Sequence, residues 1–562
     1  MSYFMSDSME PNYYLRDSIA YTEDHVPVKK LCWSDAPAQL PQEELLTYFG
    51  SYGLMSEIHM SGTGNDSPMF QSGYVIYENA TNAASALGDS NRNVFTVQAS
   101  DSWEQPDAYE WTQDQNIYNE SSPILGLNDD CLEHIVLRLG LQDQVRFART
   151  CPRFREVLRR TTARMNTSVD LGQFRAMTIW DMRDFFQMFG ARVQVLHGKF
   201  ETNHMERLAG FIRDYCVNLK SMNVSCSPQI GLHMHTIFAR AFQLEELQLH
   251  NSEIADEPLL DLQNLINLKK LNLSWNPDLT GRTLDQLPVS IEVLGLNGCR
   301  SIETQYLTEV CQHLPNLKEL NLQNINTSPK RVFRSMVIED ACPSLEVLRV
   351  TAHPWTTYDY VPCLPSLNHL TIYNDFANDI EFTDQLCRNL IGSLVEHKSE
   401  ELEKLEMFGF ESVPREQLVQ IARLQGLRVL FMPDTAFPED MFRALPNLSN
   451  LEKICFRRSS ASDYMILYLF CFCPKLNYLR LEKCTQLSVN LVRYIVARVR
   501  QEIARNICQR TLPIELWSLV ERRQIREFIL TNPGVAPEDI IQIKCTEDQS
   551  LRDNTGLELL EQ

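Results

Sequence analysis

The side chains best suited to covalent or metal chemistry in this 562-residue sequence are its 16 cysteines and 12 histidines, and their spacing favours neither use. No CxxC pair occurs. Cys471 and Cys473 are separated by one residue, and no second Cys or His pair follows at zinc-site spacing. Most cysteines sit beside apolar residues, where a thiol acts as a small hydrophobe. No metal and no other cofactor is expected. The phosphate loop G-x-x-x-x-G-K-[ST], the H-E-x-x-H helix and the G-x-S-x-G elbow are all missing from the sequence. No catalytic residue is therefore assigned, and a non-catalytic chain is expected. What remains is recognition. Phe408, Phe431, Arg457, Tyr478 and Arg480 are of the types that dominate binding hot spots. They are the candidate substrate-binding residues.

The case for those five lies in the elements that must present them. The pattern L-x-x-L-x-L recurs from Leu219-Met222-Val224 to Leu476-Leu479-Leu481, with clear copies at Leu244-Leu247-Leu249, Leu268-Leu271-Leu273 and Leu317-Leu320-Leu322. A weaker copy begins at Val193. Most starts are about 22 to 28 residues apart. The gap between Leu367 and Leu402 is about ten residues longer and predicts an inserted loop. In each copy the last two anchors are two residues apart, so a short strand points both inward. The residues between them point outward. One such unit cannot bury its apolar side alone, whereas a stack of units shares one core. Asn276, Cys299 and Cys484 end copies at equivalent places, and Cys342-Pro343 and Cys473-Pro474 introduce others. The pattern resembles the leucine-rich-repeat family in its cysteine-containing form. That resemblance implies an α/β solenoid of about twelve repeats whose concave face binds protein. Phe408, Phe431, Arg457, Tyr478 and Arg480 would lie on the C-terminal half of that face.

Residues 123–160 carry Leu132, Ile135, Val136 and Leu139 on one helical face. Asn128 or Asp129 can cap this helix, Asp143 can cap a second, and Pro152 suits the first turn of a third. Leu127, Leu132, Ile135, Leu139, Leu141, Val145, Ala148 and Cys151 resemble the apolar series of the F-box. Asn128 stands where that family usually has proline, and Phe154 where it has tryptophan. The resemblance implies docking of a Skp-type adaptor, and through it the cullin and RING subunits of an SCF ubiquitin ligase. The adaptor-binding candidates are Leu127, Leu132, Ile135, Leu139, Leu141, Val145, Cys151 and Phe154. The plain alternative is a three-helix cap for the solenoid. Seven arginines against five acids in this segment suit an acidic partner.

Residues 27–100 resemble an RNA-recognition motif with an altered working surface. Leu31-Cys32-Trp33 reads as a first strand, Glu43 to Tyr52 as a helix, Gly73 to Tyr77 as a central strand, Ala80 to Leu87 as a second helix and Val94 to Val97 as the last strand. Bases in that family stack on strand aromatics. Tyr74 matches one position, while Ser72 and Cys32 occupy the other two. Acidic residues outnumber Lys29, Lys30 and Arg92, so a protein-binding or structural role is preferred over RNA.

The expected organisation is a disordered segment over 1–26, the small α+β domain over 27–101, an acidic linker over 102–121 and the F-box-like helices over 122–165. Repeats with a C-terminal helical cap would fill 166–530, and a tail 531–562. The net charge of −21 argues against bulk binding to nucleic acid or anionic membrane. No apolar run reaches membrane-spanning length and no secretory signal is evident, so a cytoplasmic or nuclear protein is expected. The function implied is that of a substrate-recognition subunit. The alternative is an RNA-binding or scaffold protein that joins no ligase.

Overall fold

The computed structural model describes residues 13–544, except 23–24, 38–39, 62–69, 90–94, 101, 107–122, 162–166, 203, 327–329, 355–357, 458–460, 483, 485–486, 519–530, 533 and 535. Met1–Ser168, Gln173–Val193 and Thr202–Cys216 group into one compact unit, and Val169–Gly172, Gln194–Glu201 and Val217–Gln562 into a second.

The first unit begins with an antiparallel hairpin, Tyr14–Arg16 with Ile19–Tyr21. Its two-residue turn places Asp17 at φ 51° and Ser18 at φ 64°, the positive values a tight hairpin turn needs. Ala20 and Thr22 are fully buried. The expectation of a disordered N-terminus through residue 26 is therefore corrected for residues 13–22. A four-stranded antiparallel sheet follows, made of Lys30–Pro37, Met55–Ser61, Phe70–Tyr77 and Thr96–Ala99 in the spatial order second, third, first, fourth. Helices Gln42–Gly50 and Ala80–Leu87 supply Leu45, Phe49, Ala83 and Leu87 to a core shared with Leu31, Trp33 and Val75. The chain order is strand–helix–strand–strand–helix–strand, a split βαβ arrangement. Val94 and Arg92 lie outside the described residues. The domain also runs past residue 101. Gln105 Oε1 accepts from the backbone N–H groups of Lys29 and Lys30, both at 2.8 Å, and its Nε2 donates to Lys30 O and Ser100 O. Most of the expected acidic linker lies outside the described residues.

Three helices follow, Asp129–Val136, Leu141–Thr150 and Pro152–Thr161. Asn128 caps the first by accepting from Cys131 N at 2.9 Å. Asp143 sits in the first turn of the second, where its charge suits the helix dipole; Gly140, not Asp143, is the capping residue. Helices Ile179–Phe189 and Met205–Tyr215 complete this unit.

The second unit is a solenoid. Among the described residues fifteen strands stack in chain order, from Ser168–Asp170 to Ile541–Lys544. Neighbouring strands from Val195–His197 onward pair in parallel, and the register aligns Leu247, Leu271, Leu294, Leu320 and Leu348 in one column. All five are at most 1% exposed. Twelve of the strands fall on the sequence repeats, and three were not expected. Ser168–Asp170 precedes the first copy, while Ile514–Ser518 and Ile541–Lys544 follow the last. The expected helical cap is thus replaced: helix Asn490–Ala504 leads into a further parallel strand. The expected tail likewise contributes a strand before residue 545. The insertion between Leu367 and Leu402 is an 18-residue helix, Ile380–His397, capped by Asp379, and not a loop. Asn276 is fully buried and holds neighbouring turns together. Its Nδ2 donates to Leu249 O and Leu273 O, and its Oδ1 accepts from Ser252 N and Ile254 N. Cys299 does part of the same work through Sγ to Leu273 O at 3.1 Å.

Candidate protein-docking surfaces

The three helices at 129–161 bury Leu132, Val136, Val145, Val157 and Leu158 completely, and Phe154 to 5% exposure. Phe147 stacks flat on Phe154 at 4.2 Å. Leu132, Val145 and Phe154 therefore hold the helices to one another and offer nothing to a partner, a correction to their reading as contact residues. Leu127, Ile135, Leu139, Leu141 and Cys151 are half-buried and keep apolar surface in solvent. Leu137 and Ile124, which the sequence pattern passed over, are 40% and 38% exposed. They were missed because they lie off the periodic face used to recognise the helix.

The basic character of this segment is largely internal. Arg153 donates to Asp129 and to the carbonyls of Leu125 and Leu127, tying the incoming chain to the third helix. Arg160 also reaches Asp129, whose carboxyl these guanidiniums hold below its ordinary value. Arg149 bonds both Asp181 and Asp184 on helix Ile179–Phe189, and Arg146 and Gln142 add contacts to Asp181. Burial opposes ionisation of Asp181, but the Gln142 bond and the two arginines outweigh it and lower its pKa. Four arginines expected to face an acidic partner are thus paired with acids of this chain.

Residues 124–162 match the family model of the F-box domain. This segment is an F-box. No curated protein matches the chain. Solved structures similar to it include an internalin from Listeria monocytogenes, at 16% identity over 55% of this chain and 86% of that one, with a TM-score of 0.34. Another is the leucine-rich repeat-containing protein LegL7 from Legionella pneumophila, at 14% identity over 50% and 97%, with a TM-score of 0.33. F-box and leucine-rich repeats together support a role in protein interaction.

The concave face of the repeats behind the F-box is not uniform. Phe408 is 1% exposed and stacks on Tyr373 at 4.7 Å. Arg480 is 4% exposed and lies over the Trp517 ring at 5.5 Å. Both are packed by their neighbours, which removes them as direct contacts. The Arg457 side chain lies outside the described residues. Phe431 and Tyr478 remain half-buried, 5.7 Å apart, with Lys453 over Tyr478 at 6.0 Å. Burial pushes the Tyr478 hydroxyl up to about 12. Trp517 and Lys544 extend this aromatic-cationic cluster. The sequence reading missed them because the helical period of Leu491, Ile495 and Val499 was carried too far, past the Pro513-Ile514-x-Leu516 signal of a strand. The N-terminal half holds a cavity of about 720 Å³ floored by Gln248, Asn272, Gly295 and Asn321.

The buried thiols are structural. Burial pushes Cys473 and Cys387 up to about 12 and Cys299 to about 11, so they stay protonated and un-nucleophilic at neutral pH. Among the described residues no three His, Cys, Asp or Glu side chains converge as a metal site would need. Among them, too, no helix is long and apolar enough to cross a membrane.

On the small α+β domain, Tyr74 Oη donates to Glu57 at 2.6 Å, its ring stacks on His59, and Lys30 Nζ sits 4.4 Å above it. With its amide oxygen turned to the guanidinium, Gln98 accepts from both Arg207 nitrogens at 2.7 and 2.8 Å. Cys32 and Gln98 share a recess with Trp180, Arg207 and Tyr215 from the two helices of the same unit.

Proposed function

We propose that this chain is the substrate-recognition subunit of an SCF-type ubiquitin ligase. The F-box docks a Skp-type adaptor, which brings the cullin and RING subunits, and the leucine-rich repeats hold the protein to be ubiquitinated. The carrying observation is the F-box at 124–162 followed in the chain by a stack of fifteen strands among the described residues. Leu137, Ile124, Ile135, Leu139, Leu127, Leu141 and Cys151 form the adaptor-facing surface, and Phe431 and Tyr478 with Arg457 anchor the target on the C-terminal half of the solenoid. The chain forms no bond itself and takes no cofactor. It raises the effective concentration of a target lysine near the charged ubiquitin carrier. The setting is the cytoplasm, the nucleus or both, where such ligases work.

The rival RNA-binding reading finds little support. The one strand aromatic in the right place, Tyr74, is engaged by Glu57, His59 and Lys30, and Gln98 by Arg207. We assign the 27–101 domain, which resembles an RNA-recognition motif, a protein-binding or structural role.

The test is co-purification of the full chain with the Skp-type adaptor, with and without Leu137→Glu combined with Ile135→Ala. Retention by the unmodified chain and loss in the variant support the assignment. No retention by the unmodified chain rejects it.

A further inference from the structure

The cavity on the N-terminal half of the concave face is built from side chains with a fixed sense of hydrogen bonding. Asn272 Oδ1 accepts from Ser274 N at 3.0 Å, Asn321 Oδ1 from Gln323 N at 3.1 Å, and Asn223 Oδ1 from Ser225 N at 3.3 Å and Ser225 Oγ at 2.7 Å. A backbone N–H can only donate, so each amide must turn its oxygen toward it. In each of these three cavity-lining residues the amino group is the end that this bond does not hold. Gln248 is held in the opposite sense. Its Nε2 donates to Glu246 Oε1 at 2.9 Å, which leaves Oε1 as an acceptor. Gln248 is only 8% exposed, lines the cavity, and its Oε1 is buried with no hydrogen-bond partner. That oxygen is closed to solvent, so a ligand donor would recover the cost of the unmade bond once the Gln248 amide turns toward the cleft.

The strand register puts these groups in one row: Asn223, Gln248, Asn272, Gly295, Asn321. The row reads donor, acceptor, donor, gap, donor. The gap is Gly295, where a Cβ would come within 2.9 Å of Asn272 Oδ1, so a side chain there would fill the floor. At the rim Trp275, 40% exposed, lies over Gly298, where φ is +74° and a Cβ would come within 2.8 Å of the indole, so the position favours glycine.

We propose that this cleft binds an extended polypeptide segment, held chiefly through its main chain. An extended chain offers alternating C=O acceptors and N–H donors, the chemistry that mixed amide donors and a buried amide acceptor complement. Four strand spacings of about 4.8 Å give a row of about 19 Å, room for roughly six extended residues. Glu246 and Glu319 on the walls beside Lys270 and Arg349 give no net positive field, so a polyanion is not the complement. The proposal rests on the receptor reading above for what presents the segment, namely the target, and on the cleft's geometry for how it is held.

The experiment uses the full chain against a displayed library of unstructured 12-residue peptides, followed by affinity measurement of a selected peptide. Asn272→Asp and Asn321→Asp keep the oxygen that takes the backbone N–H and the side-chain volume, but replace the donor with an acceptor. Gln286→Glu, outside the lining, controls for added charge. Roughly tenfold weaker binding in each aspartate variant, with Gln286→Glu at the unmodified affinity, is the expected result. Failure to select any peptide, equal loss in the charge control, or unchanged affinity in both aspartate variants overturns the proposal. So does retention of a single-stranded RNA in place of peptide, lost in the same variants. Adaptor co-purification is scored on the same preparations. Peptide binding without adaptor retention upholds the cleft and overturns the ligase reading, and adaptor retention without peptide binding overturns the cleft alone.

Discussion

His369 Nε2 lies 3.0 Å from Glu406 Oε2 across two adjacent parallel strands of the concave face. Thr371 Oγ1 donates to the same oxygen at 2.8 Å, and Lys404 Nζ is 3.2 Å from the other. For Glu406, burial opposes ionisation, but the His369 bond, the Lys404 charge and Thr371 outweigh it and hold the pKa at about 2. For His369, burial is the main cause of a pKa near 4, and repulsion from Lys404 and Arg349 adds to it against the pull of Glu406. At neutral pH the imidazole is neutral and donates its Nε2–H to the carboxylate.

The sign of the pH dependence follows. Both groups titrate lower in the fold than their ordinary values of 6.5 and 4.5, so the unfolded chain binds more protons and acid destabilises. Stability is full above pH 6.5, falls between 6.5 and about 4 through His369, and falls again between 4.5 and about 2 through Glu406. Melting temperature against pH checks this. His369→Gln should flatten the upper limb and narrow the lower one, because Glu406 loses the imidazole bond but keeps Lys404 and Thr371. His250, also lowered by burial from its ordinary value of 6.5, adds slope of the same sign below that pH. An unchanged upper limb in His369→Gln would remove His369 as its source.

Asn276 should matter more than Cys299, although both occupy equivalent places in the repeat. Asn276→Ala takes the partner from three buried backbone groups, Ser252 N, Ile254 N and Leu249 O, and leaves Leu273 O with the Cys299 thiol, at about 1–3 kcal/mol for each one that water cannot reach. The expected total is about 3 kcal/mol or more. Cys299→Ala removes one thiol hydrogen bond and little volume, with an expected loss of about 1 kcal/mol. Denaturant midpoints of the two variants give the comparison, and equal midpoints would contradict the bridging role of Asn276.

Arg510 is a buried cation at the C-terminal end of the solenoid. It bonds Glu502 twice and the carbonyls of Cys473, Leu476 and Phe470, with its guanidinium 3.7 Å from the Phe470 ring. Arg510→Met takes the guanidinium from three carbonyls and leaves Glu502 with Arg498 as its remaining cation, for a loss of about 3 kcal/mol. Adding Glu502→Leu should restore part of that loss, since an apolar pair removes a buried carboxylate that has lost one of its two cations. Hydrogen exchange over residues 463–518 would read the effect where it occurs. Fast exchange confined to other repeats would sink it.

Within the F-box, Leu132→Ala and Leu137→Glu should separate folding from binding. Leu132 is fully buried, so its truncation costs about 2–5 kcal/mol of stability. Leu137 is 40% exposed, so its change leaves the melting temperature within a few degrees while abolishing adaptor retention. A Leu137→Glu chain that keeps the adaptor would place the contact elsewhere on the F-box.

How much of this was legible beforehand depended on whether a feature is local or collective. The repeat was readable because each strand must present an inward anchor every second residue. Leu247, Leu271 and Leu294 announce that requirement in the sequence and meet in one column in the fold. The F-box helices were readable for the same reason, through the helical spacing of Leu132, Ile135, Val136 and Leu139. The sequence could not say which apolar residues of that helix face its own core, because Leu132 and Leu137 differ only in what packs over them. Nor could it show that Arg149 meets Asp181 and Asp184 more than 30 residues away, or that Phe408 and Arg480 are covered by Tyr373 and Trp517 on neighbouring strands. The cleft at Gln248 is the sharpest case. Each of its amides is an ordinary polar residue in its own repeat. Only the parallel register sets them side by side, and only the backbone N–H groups two residues on, for the asparagines, and Glu246, for Gln248, decide which end of each amide is held.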